Sequence, residues 1–231
     1  MYNSHKALKH FDNLESIVLN TSAKDNNTQK KNAFNYTKDP DGRLKCYTEL
    51  HNKNTDMVGW INIPDTDLSY PVMQQNNNSY YLNHNFDKVK QSGGLPILDY
   101  QCDMAAPSTN LIVYGHNMRN GSVFATLLKY KKEEFFKEHK TIVLDSVYEH
   151  RTYTIISVFN TKVGSAKEFR YHEFTDAATP DDFNEYVSKV KELSLYDTGE
   201  DALYGDSLIT LSTCSYGTSN ERMVVVAKRV S

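Results

Sequence analysis

The sequence predicts a mainly β fold, a closed or nearly closed barrel with appended helices, on three observations. Eight short apolar stretches separated by turn residues occupy the chain from Gly59 onward. The residues before them carry helical spacing and a polar connector. One amphipathic helix with a capping signature interrupts the second half. Residues 1–57 are therefore expected to form a helical extension with its connector, and residues 58–231 a barrel domain.

In chain order, Ala7, Phe11, Leu14 and Val18 recur at helical spacing over residues 5–18, so this helix has an apolar stripe that must dock on something. Residues 21–42 are rich in Asn, Lys, Asp and Thr and end in Asp39-Pro-Asp-Gly42, which predicts a solvated connector closing in a turn. Leu44, Tyr47 and Leu50 suggest a second short helix. Strands are expected at 60–63, 69–73, 95–98, 110–114, 141–144, 153–159, 207–213 and 223–228. A weaker helix is expected from Val123 to Tyr130, with Phe124, Leu127 and Leu128 inward. The late helix has Thr179 as cap, Pro180 at its first position, and Asp181 and Asp182 complementing the dipole. Phe183, Tyr186, Val187, Val190 and Leu193 then make one apolar face.

Hydrophobic residues make up 39% of the 231 and charged residues 24%, the composition of a protein that folds in water. With 26 Lys and Arg against 29 Asp and Glu the formal charge is -3, which supplies no basic field and argues against nucleic acid as a partner. The longest apolar run, Met223 to Ala227, is far short of the ~20 residues of a membrane-spanning helix. No secretion signal is visible at the N-terminus. Cys46, Cys102 and Cys214 are widely spaced and odd in number, unlike a disulfide framework or a zinc knuckle. The chain has no HExxH, CxxC, P-loop, GxGxxG or GxSxG pattern, so the sequence calls for no metal and no cofactor.

Three residues stand where chemistry could occur. Ser207 to Thr213 is an apolar strand that delivers Cys214 just where turn residues begin. A lone cysteine there could equally be a buried structural thiol. Arg222 opens the next strand, so a hairpin would bring its guanidinium beside residue 214, although an Arg at a strand start is commonly a solvated edge residue. His116 ends the apolar strand Leu111-Ile-Val-Tyr-Gly-His, and Gly115 would allow another backbone to come close. A thiol needs a base or an electropositive neighbour to attack, and its leaving group needs a proton donor. Cys with His meets that need, and Arg adds a partner for an oxyanion.

Thr210-Leu-Ser-Thr-Cys214 followed by Arg222 resembles the TLxTC signature of the sortase family with its downstream Arg, and Tyr114-Gly-His-Asn117 resembles its histidine motif. Similarity to class B rests on Val58-Gly-Trp-Ile-Asn-Ile-Pro64, Tyr70-Pro-Val72, Tyr80-Tyr-Leu82, Met118 and Phe124-Ala125, together with the helix after Thr179. The resemblance covers roughly residues 44–230. It implies an eight-stranded sortase-type β-barrel with two N-terminal helices and a long helix inserted before the strand that leads to the cysteine.

The resemblance also implies an activity. Cys214 would be the nucleophile, His116 its acid/base partner and Arg222 the transition-state cation, while Asn78, Leu82 and Ser212 would line the substrate groove. The enzyme would cleave a C-terminal sorting signal of a secreted protein after Thr, through a thioacyl intermediate. An amine of peptidoglycan, or of its lipid-linked precursor, would then accept the protein. Such enzymes sit on the outer face of Gram-positive membranes through an N-terminal helix, which implies that an anchor has been removed ahead of Met1. Two other readings stay open: a cysteine endopeptidase that releases its intermediate to water, and a non-catalytic surface barrel that binds peptide. The papain-like Cys-Gly-x-Cys-Trp and caspase Gln-Ala-Cys contexts are absent.

Overall fold

The computed structural model describes residues 2–23, 34, 36–164, 168–214 and 220–231, with the side chains of residues 2–6, 20–23 and 214 outside the description. Strands β1 (Met57–Asn62), β2 (Ser69–Met73), β3 (Ile97–Leu98), β4 (Asn110–His116), β5 (Thr141–Ser146), β6 (Thr152–Lys162), β7 (Leu208–Cys214) and β8 (Glu221–Arg229) form one closed barrel in the order β1-β2-β3-β4-β7-β8-β6-β5. Each of the eight expected strands is found. Pairing is antiparallel except for β2 with β3 and β4 with β7, which run parallel. A parallel pair cannot be closed by a tight turn. Between β4 and β7 the chain therefore travels through β5, β6 and a helix before returning.

Helix α1 (Tyr2–Ala23) buries the expected stripe, Ala7, Phe11, Leu14 and Val18, in the same core as the barrel. The Phe11 ring meets the Tyr70 ring of β2 edge-on at 5.1 Å. Helix α2 (Lys45–Lys53) buries Cys46, Tyr47 and Leu50. The connector turn forms as its Asp-Pro-Asp-Gly sequence requires, with the Gly42 N–H donating to the Asp39 carbonyl. Residues 24–33 and 35 of the expected connector lie outside the described residues.

The segment after Val123 folds as a 3-10 helix, Phe124–Lys131, rather than an α-helix. Phe124 and Leu127 are buried as expected, but Tyr130 takes the third inward place and Leu128 is only partly buried. Three residues per turn align Phe124, Leu127 and Tyr130 on one side, so the tighter helix selects a different face. Val123, at φ 57, stands outside it. A short helix α3 (Glu133–Glu138) has no counterpart in the sequence reading, because only Phe136 of it is buried and no apolar stripe marks it.

Helix α4 (Pro180–Glu192) begins with a complete capping box: the Asp182 N–H donates to the Thr179 hydroxyl and the Thr179 N–H donates to the Asp182 carboxylate. It buries Phe183, Tyr186, Val187 and Val190 against the outer face of β6, β7 and β8, in a second core that holds Ile156, Phe159, Leu208, Val224 and Val226.

Besides this apolar packing, a buried carboxylate bonds helix α2 to the barrel. Asp145 of β5 is fully enclosed. It accepts from the Tyr47 hydroxyl at 2.5 Å and the Arg151 N–H at 3.0 Å, and meets His150 Nδ1 at 2.8 Å. Removing one member of such a network leaves the others desolvated without partners. Asp145→Ala is expected to lower stability by about 3 kcal/mol in urea unfolding. An unchanged midpoint would show that this carboxylate does not hold the extension.

Candidate active site

Strands β4 and β7 pair along their whole length, from Asn110 beside Leu208 to His116 beside Cys214. They end flush, so His116 and Cys214 occupy neighbouring backbone positions at one rim of the barrel. Strand β8 runs antiparallel on the other side of β7, with Ser212 opposite Val224. The paired ladder ends there, and the same register carried two residues further would set Arg222 across from Cys214. The ladder does not continue unchanged, since the Met223 N–H donates to the Thr213 hydroxyl at 3.0 Å. On its far side Arg222 pairs with Thr161 of β6.

Strand alternation then sorts these positions by face. Ile209 and Leu211 of β7, and Met223, Val225 and Ala227 of β8, belong to the barrel core. Leu208, Val224 and Val226 belong to the outer core under α4. On that outer side the Thr210 hydroxyl meets the Tyr186 hydroxyl at 2.9 Å, and the Ser212 hydroxyl meets the Tyr171 hydroxyl at 2.7 Å. His116, Cys214 and Arg222 share the parity of this outer set.

His116 is half-buried, and its imidazole is held below the usual value of 6.5. Burial is the main cause, the Arg222 charge acts in the same sense, and a hydrogen bond to the Leu82 backbone opposes both. The environment therefore favours the neutral imidazole, whose single N–H donates to the Leu82 carbonyl. Gly115, read from sequence as admitting another backbone, has a different close neighbour. It is the Phe124 ring, whose Cγ would lie 2.7 Å from a Cβ at position 115. The Leu82 carbonyl is set by a second glycine. At φ +47, a Cβ on Gly94 would come within 2.0 Å of the Tyr81 carbonyl oxygen and 2.5 Å of that of Leu82.

The three groove candidates fall around this rim. Asn78 is partly buried, and its amide lies between Asp99 and Tyr100. Leu82 is partly buried against the core, with its carbonyl toward His116. Ser212 is 1% exposed and bonded to Tyr171. Residues 215–219, between β7 and β8, lie outside the described residues. Sequence reasoning missed Tyr171, which sits in a polar stretch with no periodicity. It also missed Asp99, whose one signal is a carboxylate directly after the apolar run Leu95 to Leu98. Among the described residues no cluster of His, Cys, Asp or Glu could hold a metal ion.

The family model described as Sortase domain matches residues 61–230. Sortase B of Listeria monocytogenes is 37% identical over 185 residues, which is 79% of this chain and 73% of the relative. Sortase B of Staphylococcus aureus is 30% identical over 184 residues, again 79% and 73% of the two chains. Among solved structures, a Staphylococcus aureus sortase B-substrate complex superposes with a TM-score of 0.86 at 25% identity, covering 100% of this chain and 99% of that one. Sortase B from B. anthracis in complex with AAEK1 gives 0.82 at 29% identity, with the same coverage.

The site geometry gives two expectations that do not depend on turnover. In NMR titration the His116 ring should protonate below pH 6.5, the usual value. Because the folded state resists that proton more than the unfolded chain does, the group's contribution to stability is complete above the usual value and is lost as pH falls through the folded one. A midpoint at or above 6.5 would contradict the burial argument. Gly115→Ala should cost about 2 kcal/mol in urea unfolding, the scale of overpacking against a fixed ring. Wild-type stability would show that Phe124 moves aside freely.

Proposed function

Because the chain belongs to the sortase family, in its class B, and is a cysteine transpeptidase, we propose that Cys214 is its nucleophile, His116 its acid/base and Arg222 its oxyanion partner. The supporting observation is the flush end of the β4–β7 pair, with the β8 register leading to Arg222. Family membership sets aside the reading of the chain as a non-catalytic barrel.

In the proposed cycle the Cys214 sulfur bonds to the carbonyl carbon of the Thr in the sorting signal, and the thiol proton passes to His116. Arg222 stabilises both the thiolate and the oxyanion of the tetrahedral intermediate. The scissile C–N bond then breaks, and His116 returns its proton to the departing amine. The burial and Arg222 charge that disfavour imidazolium make it a ready donor at this step. An incoming amine next attacks the thioester and gives its proton to His116, and the thiol leaves with that proton restored.

The proposed acceptor is an amine of peptidoglycan or of its lipid-linked precursor, and the proposed donors are secreted proteins bearing a C-terminal sorting signal. Two structural relatives support these classes: a sortase B in a substrate complex and a sortase B complexed with triglycine, a peptide with a terminal amine. The work would be done at the extracytoplasmic face of a Gram-positive cell membrane. None of the described helices is long and apolar enough to cross a membrane. Asn78, Leu82 and Ser212 are proposed to line the peptide groove.

Steady-state cleavage of a quenched fluorogenic sorting peptide tests these roles, with an added amine separating transfer from hydrolysis. His116→Ala should lose at least ~10²-fold in kcat. Arg222→Lys should lose about 10²-fold or more while staying folded, because an ammonium cannot hold several donors in one plane. Near-full activity of Arg222→Lys, with loss only in Arg222→Ala, would show that charge alone suffices. Release to water alone, in the presence of amine, would favour the endopeptidase reading.

A further inference from the structure

Asp99, just after β3, is 2% exposed, and the cycle above gives it no task. Its Oδ2 accepts from Asn78 Nδ2 at 2.9 Å and from the Tyr114 hydroxyl at 2.9 Å, and its Oδ1 accepts from the Gln101 N–H at 2.9 Å. Its own N–H donates to the Ile112 carbonyl at 2.8 Å, and its carbonyl accepts from Gln74 Nε2 at 2.8 Å. The carboxylate is thus fixed from several sides.

The other end of the Asn78 amide is fixed as well, because its Oδ1 accepts from the Tyr100 N–H at 2.9 Å. Rotating the amide by half a turn would set its NH2 against that N–H and its oxygen against the carboxylate. Only one orientation is therefore allowed, and it leaves one N–H and one oxygen lone pair unused on a partly exposed side chain. A donor and an acceptor side by side match the C=O and N–H of an extended peptide main chain. Tyr114 lies two residues before His116 on β4, a rise of about 7 Å, so the Asn78–Asp99–Tyr114 chain ties this amide to the strand that carries the proposed acid/base.

We propose that Asp99 is a positioning residue that orients the Asn78 amide to bind the main chain of the peptide substrate beside His116. This rests on the reading of Asn78 as a groove residue. A side chain that holds the peptide equally in the ground and transition states changes KM and leaves kcat alone. An amide in place of the carboxylate has only one accepting oxygen for the donors that now converge on Asp99, so the Asn78 amide loses its fixed orientation.

The test is steady-state kinetics on Asp99→Asn, Asn78→Ala and the double variant, with a quenched fluorogenic peptide that the wild-type enzyme cleaves. Asn78→Ala and Asp99→Asn should each raise KM about 10-fold with kcat within about 3-fold, and the double variant should be no worse than Asn78→Ala alone. Wild-type KM in Asp99→Asn, or effects that multiply in the double variant, would overturn the positioning role. An unchanged KM in Asn78→Ala would overturn the groove reading of Asn78 itself, and the proposal with it. Should Asp99→Asn not fold, the Asn78 side-chain amide protons of the wild-type enzyme carry the test by NMR. Slow exchange with solvent is expected for the proton that Asp99 accepts, and exchange of that proton at the rate of a free amide would overturn the proposal.

Discussion

The parallel pairing of β4 with β7 is the constraint on which the remaining structure depends. Neighbouring strands lie about 4.8 Å apart, so a pair that ends flush fixes the backbone separation of His116 and Cys214 without help from either side chain. Parallel strands cannot be joined locally. The chain between them becomes β5, β6 and α4, and these close the barrel and cover its outer face. The antiparallel β7–β8 hairpin then carries Arg222 to the same rim.

A polar ladder on the outer face leads up to that rim. Asn110 donates from Nδ2 to the Phe174 carbonyl and accepts from the Thr210 hydroxyl, and Thr210 in turn meets Tyr186. Higher up, Ser212 meets Tyr171 and Tyr114 donates to Asp99. Buried polar groups are tolerable when each has a partner, and a fully bonded network resists displacement. The consequence for chemistry is a rigid floor beneath His116. Burial raises the phenol pKa of Tyr114 and of Tyr186, so these groups stay protonated as donors across the working pH range.

Much of this was legible in sequence, for identifiable reasons. The strands declared themselves because each is a short apolar run between turn residues, and α4 because Thr179, Pro180 and Asp182 mark its start as Phe183, Tyr186 and Val190 mark its face. His116, Cys214 and Arg222 stood out because apolar strands end or begin at them. What was hidden depends on contacts between distant segments. The Phe124 ring against Gly115, the Tyr171–Ser212 bond and the Asp99–Asn78 bond each join two different segments, and no pattern within either segment marks the contact. The 3-10 form of Phe124–Lys131 was likewise illegible, since three apolar residues at mixed spacing fit either helix.

The proposed mechanism places the chemistry on one thiol of the three. Burial pushes Cys46 and Cys102 up to about 12, which leaves both inert near neutral pH and makes them internal controls. Intact mass and peptide mapping after incubation with a sorting-signal peptide, with the acceptor amine withheld, test the claim most directly. An acyl adduct is expected, confined to the peptide that contains Cys214 and released by hydroxylamine. Cleavage with the adduct on Cys46 or Cys102, or cleavage that persists in Cys214→Ala, would contradict it.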